Sequence, residues 1–108
     1  MQYIQRLNLK PNRAYAFHQW LAENEHRLRE GAPEGWTYLG MWFTVRGFGA
    51  YDIEIRYELA DYASLGSDWG TEDAQKAILE TVEYLDLSRG QETYLMKSAS
   101  DVKVMKDM

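Results

Sequence analysis

Three kinds of side chain in this 108-residue chain have the chemistry for a reactive or binding site: two histidines, a set of alternating carboxylates and guanidiniums, and four tryptophans. An imidazole titrates near neutrality, so His18 is a candidate proton-transfer group at the mouth of a pocket; the plainer reading is a packed or surface histidine beside Trp20. His26 closes a Glu23-x-x-His26 spacing that a helix would put on one face, but a di-iron centre needs two such motifs and further carboxylates. No metal site is expected. Glu54 and Glu58 alternate with Arg56, and a carboxylate held near aromatic rings can have its pKa raised toward working pH. The catalytic candidates are therefore Glu54, Glu58 and His18, with cross-strand ion pairing as the alternative role for the two carboxylates. Trp36, Tyr38 and Trp42 could wall a flat or apolar ligand, with Arg6, Arg46 and Arg56 beside them as polar contacts. Trp69 sits between glycines in a loop and reads as a satellite core residue rather than a lid.

Other chemistries lack their residues. The chain has no cysteine, which removes thiol catalysis, disulfides and cysteine-held zinc. Gly47-Phe48-Gly49 and Gly66-Ser67-Asp68-Trp69-Gly70 have neither the glycine spacing nor the lysine of a phosphate cradle, and no Gly-x-Ser-x-Gly occurs. With 12 Lys+Arg against 17 Asp+Glu the net charge is -5, and nothing resembles a basic footprint for nucleic acid. No run approaches the roughly 18 apolar residues of a membrane span, and Met1-Gln2-Tyr3-Ile4-Gln5-Arg6 opens a strand rather than a signal peptide. These features predict a cytoplasmic domain spanning 1–108, with no cofactor.

The elements that must position these residues follow from the period of the apolar pattern. Residues 2–9 read as a strand. Pro11 suits the first turn of a helix whose stripe is Ala14, Phe17, Leu21 and Leu28, ending near Arg29 with Gly31 as the stop. Residues 36–46 and 51–59 read as strands joined at Gly47-Phe48-Gly49. Pairing Arg46 with Ala50 sets Val45 against Tyr51, Phe43 against Ile53, Met41 against Ile55 and Leu39 against Tyr57, all apolar. A helical turn is expected near Tyr62–Leu65. Thr71 caps a second helix, with Glu72 and Asp73 at its positive end and a stripe of Ala74, Ile78, Val82 and Leu85 running to Leu87. Residues 91–97 read as a fourth strand, and 98–108 as a tail.

The order β-α-β-β-α-β is the ferredoxin-like α+β motif: a four-stranded antiparallel sheet with two helices on one face. The covered face should carry Leu7, Leu39, Met41, Phe43, Ile53, Ile55 and Tyr57. The opposite face should then carry Arg6, Trp36, Tyr38, Trp42, Arg46, Glu54, Arg56 and Glu58, an aromatic and charged surface ill suited to open water. Two copies packed sheet to sheet would enclose it, so a homodimer through the open sheet face is expected.

The opening strand with Leu9-Lys10-Pro11, the segment Gly35-Trp36-Thr37-Tyr38-Leu39-Gly40-Met41-Trp42-Phe43, the Gly47-Phe48-Gly49 turn and Glu58-Leu59-Ala60-Asp61-Tyr62 resemble small NIPSNAP-like proteins of the dimeric α/β-barrel superfamily. The resemblance spans roughly residues 2 to 97. It implies a ferredoxin-like fold whose sheets form a barrel across a dimer. It says little about activity, since the superfamily ranges from cofactor-free oxygenases and haem-degrading enzymes to proteins of no known function. A haem-degrading member would carry a histidine on its second helix, and 71–87 has none. The expected function is binding of a small apolar or aromatic molecule in a sheet-lined pocket of a homodimer. The alternative is a cofactor-independent oxygenase or isomerase acting on an aromatic or polyketide-like substrate.

Overall fold

A computed structural model describes residues 1–45 and 51–98. The elements are β1 (Gln2–Leu7), α1 (Ala14–Glu30), β2 (Trp36–Phe43), β3 (Ile53–Leu59), α2 (Glu72–Thr81) and β4 (Glu92–Met96), with 3-10 turns at Tyr62–Gly66 and Leu87–Arg89. The strands form one sheet in the order β2-β3-β1-β4 with every neighbouring pair antiparallel, which is the predicted ferredoxin-like arrangement. The expected tight turn at Gly47-Phe48-Gly49, and Arg46 beside it, lie outside the described residues.

Both helices are shorter than their periodicity suggests. Pro11 and Asn12 form a turn, with Asn12 at a φ of 62°, so α1 begins at Ala14 rather than at the proline. Of its expected stripe Phe17, Leu21 and Leu28 are buried, joined by Trp20, whereas Ala14 in the first turn is exposed. Thr71 caps α2 as predicted, its hydroxyl accepting from the Ala74 amide at 3.1 Å. The helix then stops at Thr81 instead of near Leu87. The chain beyond it is drawn back to the continuation of β1: the Asp86 amide donates to the Asn8 carbonyl at 2.9 Å and the Lys10 amide to the Tyr84 carbonyl at 2.9 Å. Leu9 and Leu85 form an isolated bridge there, and both are buried. Pairing with the continuation of β1 gives these backbone groups partners outside the helix.

The expected register of β2 on β3 holds only over half its length. Phe43 pairs with Ile53, Met41 with Ile55 and Gly40 with Arg56; then the ladder slips, and Tyr38 rather than Leu39 stands opposite Tyr57. Leu39 is the extra residue of a β-bulge. Gly40, at a φ of 141°, supplies backbone that a side chain would strain. The bulge reverses the alternation, so Trp36 and Tyr38 join the helix-covered face and Leu39 leaves it, 40% exposed. At the other end the predicted Val45–Tyr51 pair is absent, and Val45 is 95% exposed.

The core lies between sheet and helices, built from Leu7, Phe17, Leu21, Leu28, Tyr38 and Ile53, with Met41, Phe43, Ile55 and Tyr57 packed against it. Ile53 is 1% exposed, so Ile53→Ala should cost about 2–5 kcal/mol through lost burial and a residual cavity. Leu39→Ala, at the bulge, should cost under about 1 kcal/mol. Urea melts of the two variants check this, and equal losses would mean that Leu39 faces the core without a bulge.

Candidate functional site

On the open face, a charged and aromatic band crosses all four strands. The Glu54 carboxylate on β3 accepts from Arg6 on β1 at 2.9 Å and from Arg56 at 2.6 Å. Arg56 lies over the Trp42 ring of β2 at 5.0 Å, and Arg6 over the Tyr94 ring of β4 at 5.0 Å. Tyr94 in turn donates its hydroxyl to Glu92. Cation–π contacts and charge-assisted hydrogen bonds alternate along the band, so each guanidinium has both a ring and a carboxylate. Burial would push the Glu54 carboxyl up, but the hydrogen bonds and charges of Arg6 and Arg56 outweigh it and hold the group below its ordinary range. Glu54 is thus a fixed anion, the ion-pairing role rather than a base poised near neutrality. Glu58 accepts from the Met1 amino group at 2.7 Å and is about half exposed.

The other face holds a cavity of about 270 Å³ between the sheet and α2. Its floor is Tyr3, Gln5 and Leu7 of β1, Ile55 and Tyr57 of β3, and Met41 and Trp36 of β2. Its roof is Ala74, Ile78 and Thr81 of α2 with Val82, and Trp69, Leu87 and Gln91 complete the rim. The space exists because α2 packs on α1 rather than down onto the sheet. The residues that α2 buries are small, Ala74, Ala77 and Thr81, which allow close approach to α1 and leave Ile78 and Val82 part-exposed at the gap. Arg27 of α1 clamps this arrangement with ion pairs to Asp73 at 3.0 Å and Glu80 at 2.8 Å. At the near end Gly70 lies so close to the Gly31 carbonyl that no Cβ fits, which ties the start of α2 to the end of α1.

Trp36 is held by three contacts on this side. Its indole N–H donates to the Ser64 carbonyl at 2.6 Å, and its ring packs 5.0 Å from Tyr3 and 5.3 Å from Tyr57. Tyr38 is buried at 3% exposure and donates its hydroxyl to Glu25 of α1 at 2.9 Å. Desolvation, and then the Glu25 hydrogen bond, drive its phenol pKa up, so it stays protonated. Among the buried phenols, burial pushes Tyr57 up to about 12, with the neighbouring Tyr3 adding to the effect.

The sequence-derived site therefore divides between two faces. Arg6, Trp42, Glu54, Arg56 and Glu58 share the open face as expected. Trp36 and Tyr38 do not: the bulge turns both to the helix side, where Trp36 lines the cavity and Tyr38 belongs to the core. His18 is exposed on α1 with its ring 5.3 Å from Phe43, on the helix side and away from Glu54 and Glu58. The three catalytic candidates do not converge. Arg46 lies outside the described residues. Trp69 is a rim residue at 65% exposure rather than a satellite of the core. Sequence reasoning missed Tyr3, Gln5, Ile78, Val82 and Gln91 as cavity residues. The available signal was the pair of alanines on α2, which marks a helix able to sit close to a neighbour while its larger side chains face elsewhere.

Among known structures the chain is similar to an uncharacterised NIPSNAP domain protein from Burkholderia xenovorans, with a TM-score of 0.62 and 15% identity over 91% of this chain and 94% of that one. It is also similar to a protein of unknown function from Nitrosomonas europaea, at a TM-score of 0.49 and 19% identity over 91% and 89% of the two chains. No protein-family model and no curated protein matches the sequence. The chain is thus NIPSNAP-like in fold, an α+β ferredoxin-like domain, as the resemblance implied. No helix among the described residues is long and apolar enough to cross a membrane.

A carboxyl whose pKa is depressed on folding adds stability above its unfolded value and loses it as pH falls through the folded one. Wild type should therefore exceed Glu54→Gln in stability at neutral pH, and the gap should narrow in acid below the ordinary value of 4.5. Urea melts across that range check this; a gap that widens toward acid would contradict the assignment of Glu54 as a paired anion.

Proposed function

We propose that the protein binds a small apolar or aromatic molecule in the cavity between the sheet and α2. The observation that carries this reading is the cavity itself, about 270 Å³ with a wall of aliphatic and aromatic side chains. Apolar cavities of ~150 Å³ stay dry and accept benzene, so this one has room for a fused two-ring guest. Trp36 is part of its wall, and exposed Trp69, Val82 and Leu87 lie along it. The enzyme alternative gains no support from this geometry. Among the described residues no carboxylate or imidazole lines the cavity, and Glu54 is engaged by two guanidiniums on the other face. The hollow of about 360 Å³ on that face is bordered by Arg56, Glu58 and Lys97, which suits it poorly to an apolar guest.

Naphthalene titrated into the protein should quench tryptophan emission and raise the melting temperature by mass action. Ile78→Trp should fill the space and abolish both effects, and it should fold because Ile78 is already 37% exposed. Trp42→Phe, on the far face, should leave them intact. Binding lost in Trp42→Phe and retained in Ile78→Trp would move the site to the open face.

A second reading concerns the open face. Trp42, Tyr94 and Met96 are respectively 48%, 38% and 52% exposed there, a set of large apolar groups beside an internally paired charge band. A second copy of the chain covering this face would remove them from water. Light scattering at micromolar concentration should then give twice the 12.7 kDa chain mass, and Trp42→Asp should halve it. A concentration-independent monomer would refute the dimer.

A further inference from the structure

The polar groups in the cavity wall narrow the class of guest. Among the described residues none that lines the cavity is Asp, Glu, Lys, Arg or His, so a charged guest drawn inside would lose its hydration and find no counter-charge there. The phenols of Tyr3 and Tyr57 are part of the wall, and burial pushes Tyr57 up to about 12, so it stays protonated. At the solvent-exposed rim of the cavity the Gln5 amide donates to the Gln91 side-chain carbonyl at 3.0 Å. That bond uses the donor of one amide and the acceptor of the other. The Gln5 carbonyl and the Gln91 amide N–H are left with no protein partner among the described residues. A hydroxyl complements this pair, since it donates to a carbonyl and accepts from an amide at once. Gln5 is half-buried on β1, in the ladder between Ile55 and Thr93, so the strand fixes where its side chain leaves the backbone.

We propose that the cavity selects an uncharged aromatic molecule bearing a hydroxyl group, with the Gln5–Gln91 amide pair binding the hydroxyl and the apolar wall holding the rings. The proposal rests on the small-molecule reading given above and specifies its ligand. It excludes the carboxylate of the same ring system, because an ionised oxygen pair inside this wall has no cation to face.

Three probes of one ring system separate the contributions: 2-naphthol, naphthalene and 2-naphthoate, titrated at neutral pH, where a phenol is neutral and a carboxylic acid is ionised. Tryptophan quenching and calorimetry should rank 2-naphthol above naphthalene by roughly two- to tenfold, the range of one neutral hydrogen bond. 2-Naphthoate should bind more weakly than 2-naphthol, since its carboxylate is partly desolvated at the rim with no cation beside it. Gln5→Met keeps the side-chain length and removes the amide. It should bring 2-naphthol down to the affinity of naphthalene in the same variant, a loss of discrimination between the two probes that a folding defect would not produce. Naphthoate binding as tightly as naphthol, or a naphthol advantage that persists in Gln5→Met, overturns the proposal while the cavity reading stands. Absence of binding by all three probes, or binding unaffected by Ile78→Trp, overturns both.

Discussion

Strand β2 carries one residue more than β3 can pair, and the excess is absorbed at Leu39 beside a glycine with a φ of 141°. Side chains on a strand alternate between faces, so a single unpaired residue inverts every position beyond it. Here the inverted positions include Trp36 and Tyr38. Without the bulge both rings would stand on the open face with Trp42. With it, Tyr38 reaches the Glu25 carboxylate on α1 and Trp36 reaches the Ser64 carbonyl. The bulge thereby supplies the core with a large ring, and the cavity with its aromatic wall.

The two faces consequently differ in chemistry although one sheet builds both. Toward the helices, the sheet's own side chains are apolar or neutral. Toward the open side, Glu54 is shared by two guanidiniums, each of which also covers an aromatic ring. Such a band is self-sufficient: its charges are matched within the sheet. What it leaves unmatched is apolar, the exposed parts of Trp42, Tyr94 and Met96.

The space on the helix side follows from a competition over α2. Its alanines favour α1, where Arg27 adds two ion pairs, and its C-terminal continuation is drawn to the end of β1 through Asn8 and Lys10. Both pulls act at the edges of the layer. The middle of α2 is left standing off the sheet, and Ile78 and Val82, which the periodicity assigns to the core, border a gap instead.

Local pattern was enough to set the element order, the Thr71 cap, Phe17, Leu21 and Leu28 as the inner side of α1, and the pairing of Phe43 with Ile53 and Met41 with Ile55, because these depend on residues near in sequence or on strict alternation. The ferredoxin-like class followed from that order, and Arg6, Trp42, Glu54 and Arg56 were legible as neighbours because their strands keep an unbroken period of two. The tertiary structure decided the rest. Alternation cannot show where a strand will discard a residue, so the faces of Trp36 and Tyr38 were reversed. Periodicity cannot show which of two neighbours a helix will favour, so the gap beneath α2 and its amide pair, Gln5 and Gln91, were invisible. Those two glutamines lie 86 positions apart in the chain, and only the β1–β4 pairing brings them within a hydrogen bond.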